Sequence, residues 1–388
     1  MSVADRLPLV VEREDGLRLR LLSGLEFDRR QLAVIAVALV FLLLLPDIVS
    51  LVGLSFPFVL KGLTFGIAAL GVNLLLRHTQ LVSFGHAAFF GAGAYGAAVL
   101  ASYGGVDSGI VLLLGAALVG TLAAVVIGFL VAGHREIYFA LLTLAFGQLM
   151  FAIVIGSQFF NFDDGLSVRV DGERASLLGV DRMLDVGAGG YRVLLYYGIL
   201  VILLALLLLT WRIVNSPFGK TLDAIGQNDL RAEFIGIPVK RHIWTVFILS
   251  GLYGGIGGGL FALLQPHVRP QGTLHVLISG ELLLMALVGG FQTILGPIIG
   301  GVIIIYLLDL ARFQADYYNA LAGIILVAVV LFFPQGLLGS TDTVRSGARQ
   351  VRENPRVVGS WARELGARTR GGVRNGIASA KHLLFGGD

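Results

Sequence analysis

The sequence has few charged residues and no cysteine. Only 14% of its 388 residues are charged, against about 25% in a soluble globular domain, while 56% are hydrophobic. Because so few charges cannot cover a water-facing surface of this size, we expect lipid to surround much of the chain. The absence of cysteine excludes disulfides, thiolate metal sites and cysteine nucleophiles, and it leaves the redox compartment open.

The sequence also lacks a signal peptide and a nucleotide-binding loop. Residues 1–30 are polar and mixed in charge, with no apolar core of a signal peptide. Gly219, Lys220 and Thr221 match the end of a phosphate-binding loop, but that motif needs another glycine five residues before Gly219, where Val214 stands. No metal-ligand cluster or catalytic constellation is visible either. We therefore predict a protein that is not an enzyme and has no cofactor or metal.

Glycine, in contrast, is abundant. The chain has 53 glycines, about twice the usual share of 7%, and most of them lie inside apolar stretches. Small residues allow membrane helices to approach closely, since lipid supplies no hydrophobic force between helices. The run Gly251–Gly259 has three overlapping pairs of small residues four positions apart, which predicts close helix packing rather than ligand contact.

Long apolar segments predict an all-α, polytopic transmembrane helical bundle of about ten spans, since each span needs about 20 apolar residues. The third, eighth and ninth segments are short or rich in glycine, so broken or re-entrant helices are possible there. Eight or nine spans are the alternative if 274–308 is re-entrant. The predicted spans are 31–53, 56–76, 81–101, 109–132, 137–158, 191–211, 243–264, 274–290, 292–308 and 317–333.

The distribution of Lys and Arg predicts the orientation of these spans. The loop 212–242 and the tail 339–388 are rich in Lys and Arg, so both are expected in the cytoplasm, whereas the acidic segment 159–190 is expected outside. The predicted divisions are a cytoplasmic N-terminal tail at 1–30, a transmembrane domain at 31–338 and the basic cytoplasmic C-terminal tail. That tail is either a helix on anionic lipid or a solvated chain. The net charge of +4 fits cytoplasmic loops and gives no reason to expect nucleic-acid binding.

The loop 212–242 has the pattern of one or two short amphipathic helices. Ser216 before Pro217 is a helix start, and Gly236 followed by Pro238 is a helix stop. A short helix with an apolar stripe outside the bilayer predicts a partner groove. The stripe comprises Leu222, Ile225, Leu230, Phe234 and Ile235.

This loop resembles the cytoplasmic signature of permease subunits of ABC importers, in particular those for branched-chain amino acids. That family typically has a Ser-Pro-x-Gly start, an Ala-Ile pair and an Ala-Glu-x-x-Gly-Ile core. The matching residues are Ser216, Pro217, Gly219, Ala224, Ile225, Ala232, Glu233, Gly236 and Ile237.

Three further stretches support the resemblance, which covers about residues 56–338. They are Leu81–Tyr95, Tyr138–Gly147, and Leu284–Gly301 together with Phe333–Leu337. One segment departs from the family. Where the family often has Thr-Gly-Gly followed by Gly-Leu, this chain has Asn161–Leu166, and only Gly165 and Leu166 match.

The resemblance implies a type II importer-like permease of the inner membrane, with both termini in the cytoplasm. It implies two ATP-binding subunits docked on the loop 212–242, a second and similar permease subunit, and an extracytoplasmic substrate-binding protein. The implied substrates are branched-chain amino acids, with urea or short amides as the alternative. A secondary transporter or channel is the competing class, but such proteins usually need intramembrane acids or carbonyl rings, and Glu281 is almost the only acid in the spans.

Two glycine-rich interruptions are candidates for the translocation path, because the N-termini of broken helices offer oriented N–H groups to a carboxylate. The alternative for both is a close-packing seam. For His86 the alternative is a hydrogen bond to a backbone carbonyl, and Glu281 either caps its helix or faces the path. The candidate path residues are Ser83, Gly85, His86, Phe90, Tyr95, Gly290 and Gln292.

Overall fold

The computed structural model of the chain describes residues 10–13, 16–20, 26–28, 45–51, 55–170, 173–174, 176 and 188–314. Most of these residues are helical, as predicted. The helices are α1 (Leu45–Leu51), α2 (Phe56–Thr79), α3 (His86–Ser102), α4 (Gly109–Val131), α5 (Glu136–Ile155), α6 (Ala188–Val214), α7 (Pro217–Gln227), α8 (Asp229–Phe234), α9 (Val239–Leu264), α10 (Val276–Gly289) and α11 (Gly296–Gln314).

Short strands accompany the helices. Within the predicted N-terminal tail, β1 (Val10–Arg13), β2 (Gly16–Arg20) and β3 (Glu26–Asp28) form an antiparallel sheet in the order β1-β2-β3. Near the end of α5, β4 (Leu166–Ser167) pairs with β7 (His267–Val268), and β5 (Arg169–Val170) pairs with β6 (Glu173–Arg174). These strands lie in connections and in the tail, and none of them lies in a described segment that could cross a membrane.

Six described segments are long and apolar enough to cross a membrane: Phe56–Thr79, Gly109–Val131, Glu136–Ile155, Gly190–Val214, Val239–Leu264 and Pro270–Gly289. Together they make the protein a multi-pass membrane protein. The predicted count of ten stays a prediction. The span 317–333 lies outside the described residues, and 31–53 is described only where α1 lies.

All three irregular spans begin later than predicted, because the chain enters them without α-helical structure; the ninth begins at Gly296 rather than at residue 292. Gln80, in the left-handed conformation, ends α2, and α3 begins at His86 rather than at residue 81. In the eighth span a 3₁₀ turn at Pro270–Gly272 comes before α10. The predicted segment 274–308 then forms a helical hairpin of α10 and α11, in which a Cβ at Gly300 would overlap the Met285 carbonyl oxygen.

Helix α9 is the centre of the bundle, and its glycine run contacts three other helices. A Cβ at Gly257 would lie 2.8 Å from the Thr64 carbonyl oxygen of α2, and one at Gly255 would lie 2.9 Å from the Ala116 carbonyl oxygen of α4. At Gly258 a Cβ would overlap the Phe90 carbonyl oxygen of α3. The prediction of close helix packing for Gly251–Gly259 is therefore confirmed.

The outer helices α4 and α5 expose most of their apolar side chains, unlike α2 and α9. Leu114, Leu118 and Val126 on α4 and Leu141 on α5 are more than half exposed. A helix that is apolar on its exposed face fits a lipid environment and not water. The lipid-facing surface of the described bundle is therefore formed largely by α4 and α5.

The glycine packing of α9 gives a direct test of the fold. We expect Gly258→Leu to lower the thermal unfolding midpoint and the yield of folded protein, because the new side chain meets the backbone of α3, which cannot rotate away. Overpacking of this kind costs about 1–3 kcal/mol or more. The control is Gly198→Ala on α6, where a Cβ meets no atom within 4 Å. Equal stability of the two variants in detergent would contradict the packing account.

Candidate functional site

The connection between α6 and α9 folds as the sequence predicts, into two short helices. At the start of α7, Pro217 occupies the first turn and the Ser216 hydroxyl oxygen accepts a hydrogen bond from the Gly219 N–H at 3.3 Å. At the start of α8, the Asn228 side-chain oxygen accepts one from the Arg231 N–H at 2.8 Å. Gly236 ends the pair with φ +89, a conformation that side chains with a Cβ rarely adopt.

The apolar stripe of this connection is divided between two surroundings. Leu222 and Ile225 on α7 are buried against the chain itself, in one cluster with Leu75 of α2 and Ile243 of α9. The prediction of a partner groove for the stripe is therefore wrong for α7, because α2 and α9 of the same chain cover its apolar side chains. The exposed fractions are 62% for Leu230 and 88% for Phe234 on α8, and 76% for Ile235 directly after it.

The predicted docking residues also differ in solvent exposure. Pro217, Glu233 and Gly236 are exposed, Ser216, Ala224 and Ile237 are partly exposed, and Gly219 and Ala232 are buried. Gly219 is buried because α7 turns directly on the end of α6, where a Cβ would overlap the Val214 carbonyl oxygen. The family pattern thus combines residues that build the two helices with residues that face outward.

Two polar contacts attach these helices to the transmembrane bundle. The Asp223 carboxylate on α7 lies 2.5 Å from the Nδ1 atom of His78, a buried residue in the last turn of α2. The Asp229 carboxylate on α8 accepts a hydrogen bond from the Arg135 side chain at 2.8 Å, directly before α5. Sequence reasoning missed both contacts, since 145 residues separate His78 from Asp223 and 94 separate Arg135 from Asp229.

The candidate path residues are almost all buried within the single chain. Ser83, Gly85, His86, Phe90, Tyr95 and Gly290 are buried, and only Gln292 is exposed. They do not form one cluster. Tyr95 packs on Phe160 beyond the end of α5, with ring centroids 5.5 Å apart. Phe90 packs between Phe65 and Phe261.

His86 takes part in a buried polar chain that joins three helices. Its Nε2 atom lies 2.5 Å from the Ser250 hydroxyl oxygen of α9, and that hydroxyl lies 2.8 Å from the Gly71 carbonyl oxygen of α2. The expected partner, a backbone carbonyl, is thus reached through a serine hydroxyl. The Ser279 hydroxyl oxygen of α10 accepts a hydrogen bond from the Ala87 N–H at 2.8 Å, which adds a fourth helix.

The second glycine-rich interruption, between α10 and α11, has hydrogen bonds of its own. The Asn73 side chain of α2 donates a hydrogen bond to the Thr293 carbonyl oxygen at 3.1 Å, in the turn between α10 and α11. The cap of α10 is His275, whose Nδ1 accepts from the Leu277 N–H at 3.3 Å. Glu281 lies six positions further along, so it does not cap this helix, contrary to one of its two predicted roles.

The C-terminal end of α5 leads to the acidic segment, at the end of the bundle opposite α7 and α8. Tyr103 stacks on Phe159 with ring centroids 5.0 Å apart, and its hydroxyl donates to the Phe159 carbonyl oxygen at 2.7 Å. Asp163 and Asp164 are exposed on the following turn. Gly165, one of the two residues that match the family there, has φ +75, and a Cβ on it would overlap the Val268 carbonyl oxygen of β7. The turn therefore requires this glycine.

Comparison with known proteins identifies the family of the chain. Residues 55–333 match the family described as branched-chain amino acid transport system / permease component. The chain is 26% identical over 293 residues to the high-affinity branched-chain amino acid transport system permease protein LivM of Salmonella typhimurium, covering 71% of this chain and 68% of that protein.

Two other relatives have similar identity. LivM of Escherichia coli is 25% identical over the same shares of both chains. The probable branched-chain amino acid transport permease protein LivH of Methanocaldococcus jannaschii is 26% identical, over 70% of this chain and 87% of its own. No solved structure matches the chain. The family match spans every described transmembrane helix from α2 to α11, so this chain belongs to the permease component family of branched-chain amino acid transport systems.

Proposed function

We propose that this permease is the membrane subunit of a binding-protein-dependent ABC importer that carries branched-chain or related amino acids across the inner membrane. The ATP is hydrolysed by two partner subunits, and a second, similar permease subunit completes the path. The names of the relatives support the transport role. The proposed orientation has both termini and the helices α7 and α8 in the cytoplasm and the segment 159–190 outside.

The exposed face of α8 is the observation that carries the ATPase role. Leu230, Phe234 and Ile235 form an apolar patch, which we call the α8 patch. Asp229, Arg231 and Glu233 alternate with these residues, so the helix does not fit a position deep in lipid. A short amphipathic helix with an unpaired apolar face fits a protein groove, and we propose that the ATPase subunit supplies it. Glu233, Gly236 and Ile237 would border the same contact.

The two polar contacts give the docked helices a route to the transmembrane bundle. A displacement of α7 acts on α2 through Asp223 and His78, and a displacement of α8 acts on the start of α5 through Asp229 and Arg135. Helix α2 packs on the glycine run of α9, so it moves with the centre of the bundle. Such attachments suit the rigid-body rocking by which transporters alternate their access.

The proposed path follows the two interruptions, at Ser83, Gly85, His86, Phe90 and Tyr95 and at Gly290 and Gln292. Because all of these except Gln292 are buried, a path along them is closed in the described conformation. Opening it requires α3 and the α10–α11 turn to separate from α2 and α9. An α-amino acid would then meet the N-terminal N–H groups of broken helices.

Uptake measurements test the function and separate its alternatives. The complex, reconstituted with its binding protein, is expected to accumulate leucine, isoleucine or valine only when ATP is supplied. Uptake of urea or a short amide, without uptake of these amino acids, would show that the alternative substrate class is correct. The departure from the family pattern at Asn161–Asp164 leaves this alternative open. Ion-driven uptake without any co-purified ATPase would instead identify a secondary transporter.

Docking on the α8 patch predicts that Phe234→Glu releases the ATPase subunits. A charge at the centre of an apolar contact must be desolvated, which costs several kcal/mol, so we expect co-purified ATPase to fall at least about tenfold. Phe234→Leu keeps an apolar side chain and is the control. Stoichiometric ATPase on the Glu variant would show that the patch is not the docking surface.

The attachment of α8 to α5 predicts a charge-swap rescue. Arg135→Asp and Asp229→Arg are each expected to lower ATP-driven uptake about two- to fivefold, as fits a partly exposed pair worth about 0–1 kcal/mol. The combined variant restores the pair and should regain most of the uptake. Co-purified ATPase should stay constant in all three. Uptake in the combined variant as low as in the single variants would exclude transmission through this pair.

The acidic segment predicts salt-sensitive docking of the binding protein. Neutralising Asp163 and Asp164 together, each to Asn, should slow association up to about tenfold at low ionic strength, with the difference vanishing in high salt. The control is Glu136→Gln, an acid neutralised at the other end of α5. Association rates that are the same for wild type and both variants at every salt concentration would mean that this segment does not guide docking.

A further inference from the structure

A cleft of about 400 Å³ lies beside the α8 patch, where the end of α4 meets the start of α9. Its lining includes Phe129, Glu233, Lys240, Arg241 and Trp244. The helical connection forms one wall, and the transmembrane helices α4 and α9 form the other. Glu233 and Ile237 on its rim also border the proposed ATPase contact, but the transport role proposed above assigns no ligand to the cleft itself.

The transmembrane wall of the cleft continues into the lipid-facing surface of α4. Val126 and Phe129 are 61% and 60% exposed, on the same side of that helix as the cleft. Trp244 closes the apolar wall: its ring centroid lies 5.9 Å from that of Phe129, and its indole N–H donates to the Val125 carbonyl oxygen at 3.0 Å. Tryptophan with an apolar body and a satisfied polar edge is typical of the headgroup level of a membrane.

The part of this same wall at the start of α9 is charged. Lys240 and Arg241 are exposed in the first turn of α9, and neither forms an ion pair with a described residue. The Lys240 ammonium lies 5.8 Å from the centre of the Phe129 ring, directly at the junction with the apolar wall. The N-terminal end of α9 adds the positive end of a helix dipole. Glu233 supplies one carboxylate on the rim.

We propose that this cleft binds the headgroup of a membrane glycerophospholipid, with phosphatidylethanolamine as the best fit. The phosphate would lie against Lys240 and Arg241, and the primary ammonium would face the Glu233 carboxylate. The acyl chains would follow Val126 and Phe129 along α4. This occupant matches both charge signs and the apolar exit, whereas free phosphate leaves the acid and the apolar wall without a partner.

A comparison of two double variants tests the site. Lys240→Gln with Arg241→Gln removes the cations of the cleft, while Lys220→Gln with Arg231→Gln removes the same charge from α7 and α8, outside the cleft. Native mass spectrometry of the purified chain, titrated with phosphatidylethanolamine, should show at least about tenfold weaker lipid retention for the first variant only. Equal retention by the two variants would overturn the proposal. Matching thermal unfolding midpoints without lipid would verify that both variants are folded.

The choice of headgroup gives a second measurement. Phosphatidylethanolamine should be retained more strongly than phosphatidylcholine, whose quaternary ammonium donates no hydrogen bond, and Glu233→Gln should remove that preference. Inorganic phosphate that displaces the lipid at equal concentration would identify an anion site and overturn the lipid assignment. Because lipid retention is measured on the permease alone, it does not depend on ATPase docking or uptake, and failure of either proposal leaves the other intact.

Discussion

Direct backbone contact along the glycine-rich helix α9 is the constraint on which the rest of the bundle depends. Helices surrounded by lipid gain little from hydrophobic association, so their stability comes from close packing and from hydrogen bonds that lipid cannot offer. The glycine run of α9 brings α2, α3 and α4 against its backbone. Ser250 lies directly before this run. Its hydroxyl forms hydrogen bonds with the His86 ring of α3 and the Gly71 carbonyl oxygen of α2.

The same constraint positions the site at the end of the bundle. Helix α2 packs tightly on α9, and His78 in its last turn contacts Asp223 of α7. Helix α8 is attached instead to α5, an outer helix that is largely exposed. The connection between α6 and α9 therefore contacts both the closely packed centre and a peripheral helix, as the proposed transmission of ATPase movement requires.

Much of this architecture could be predicted from the sequence, since membrane spans follow from composition and length alone. The starts and stops of α7 and α8 were also predictable, because Ser216, Pro217 and Gly236 act through local backbone chemistry. The starts of α3 and α10 were not. Residues 81–85 and 274–275 adjoin long apolar stretches and by composition can be counted with them, whereas Gln80 ends α2 and the Pro270–Gly272 turn delays α10.

The sequence by itself determined that the chain is a polytopic helical membrane protein with an amphipathic connection and a glycine-rich central helix. Those properties depend on residue type and local spacing. Only the tertiary structure decided which apolar residues of that connection stay exposed: Leu222 is covered by α2 and α9, while Phe234 is not. It likewise decided that Asp223 meets His78 and that Phe129 meets Trp244. The physical reason is that burial and pairing depend on neighbours more than 90 residues away in the chain, and no local pattern encodes them.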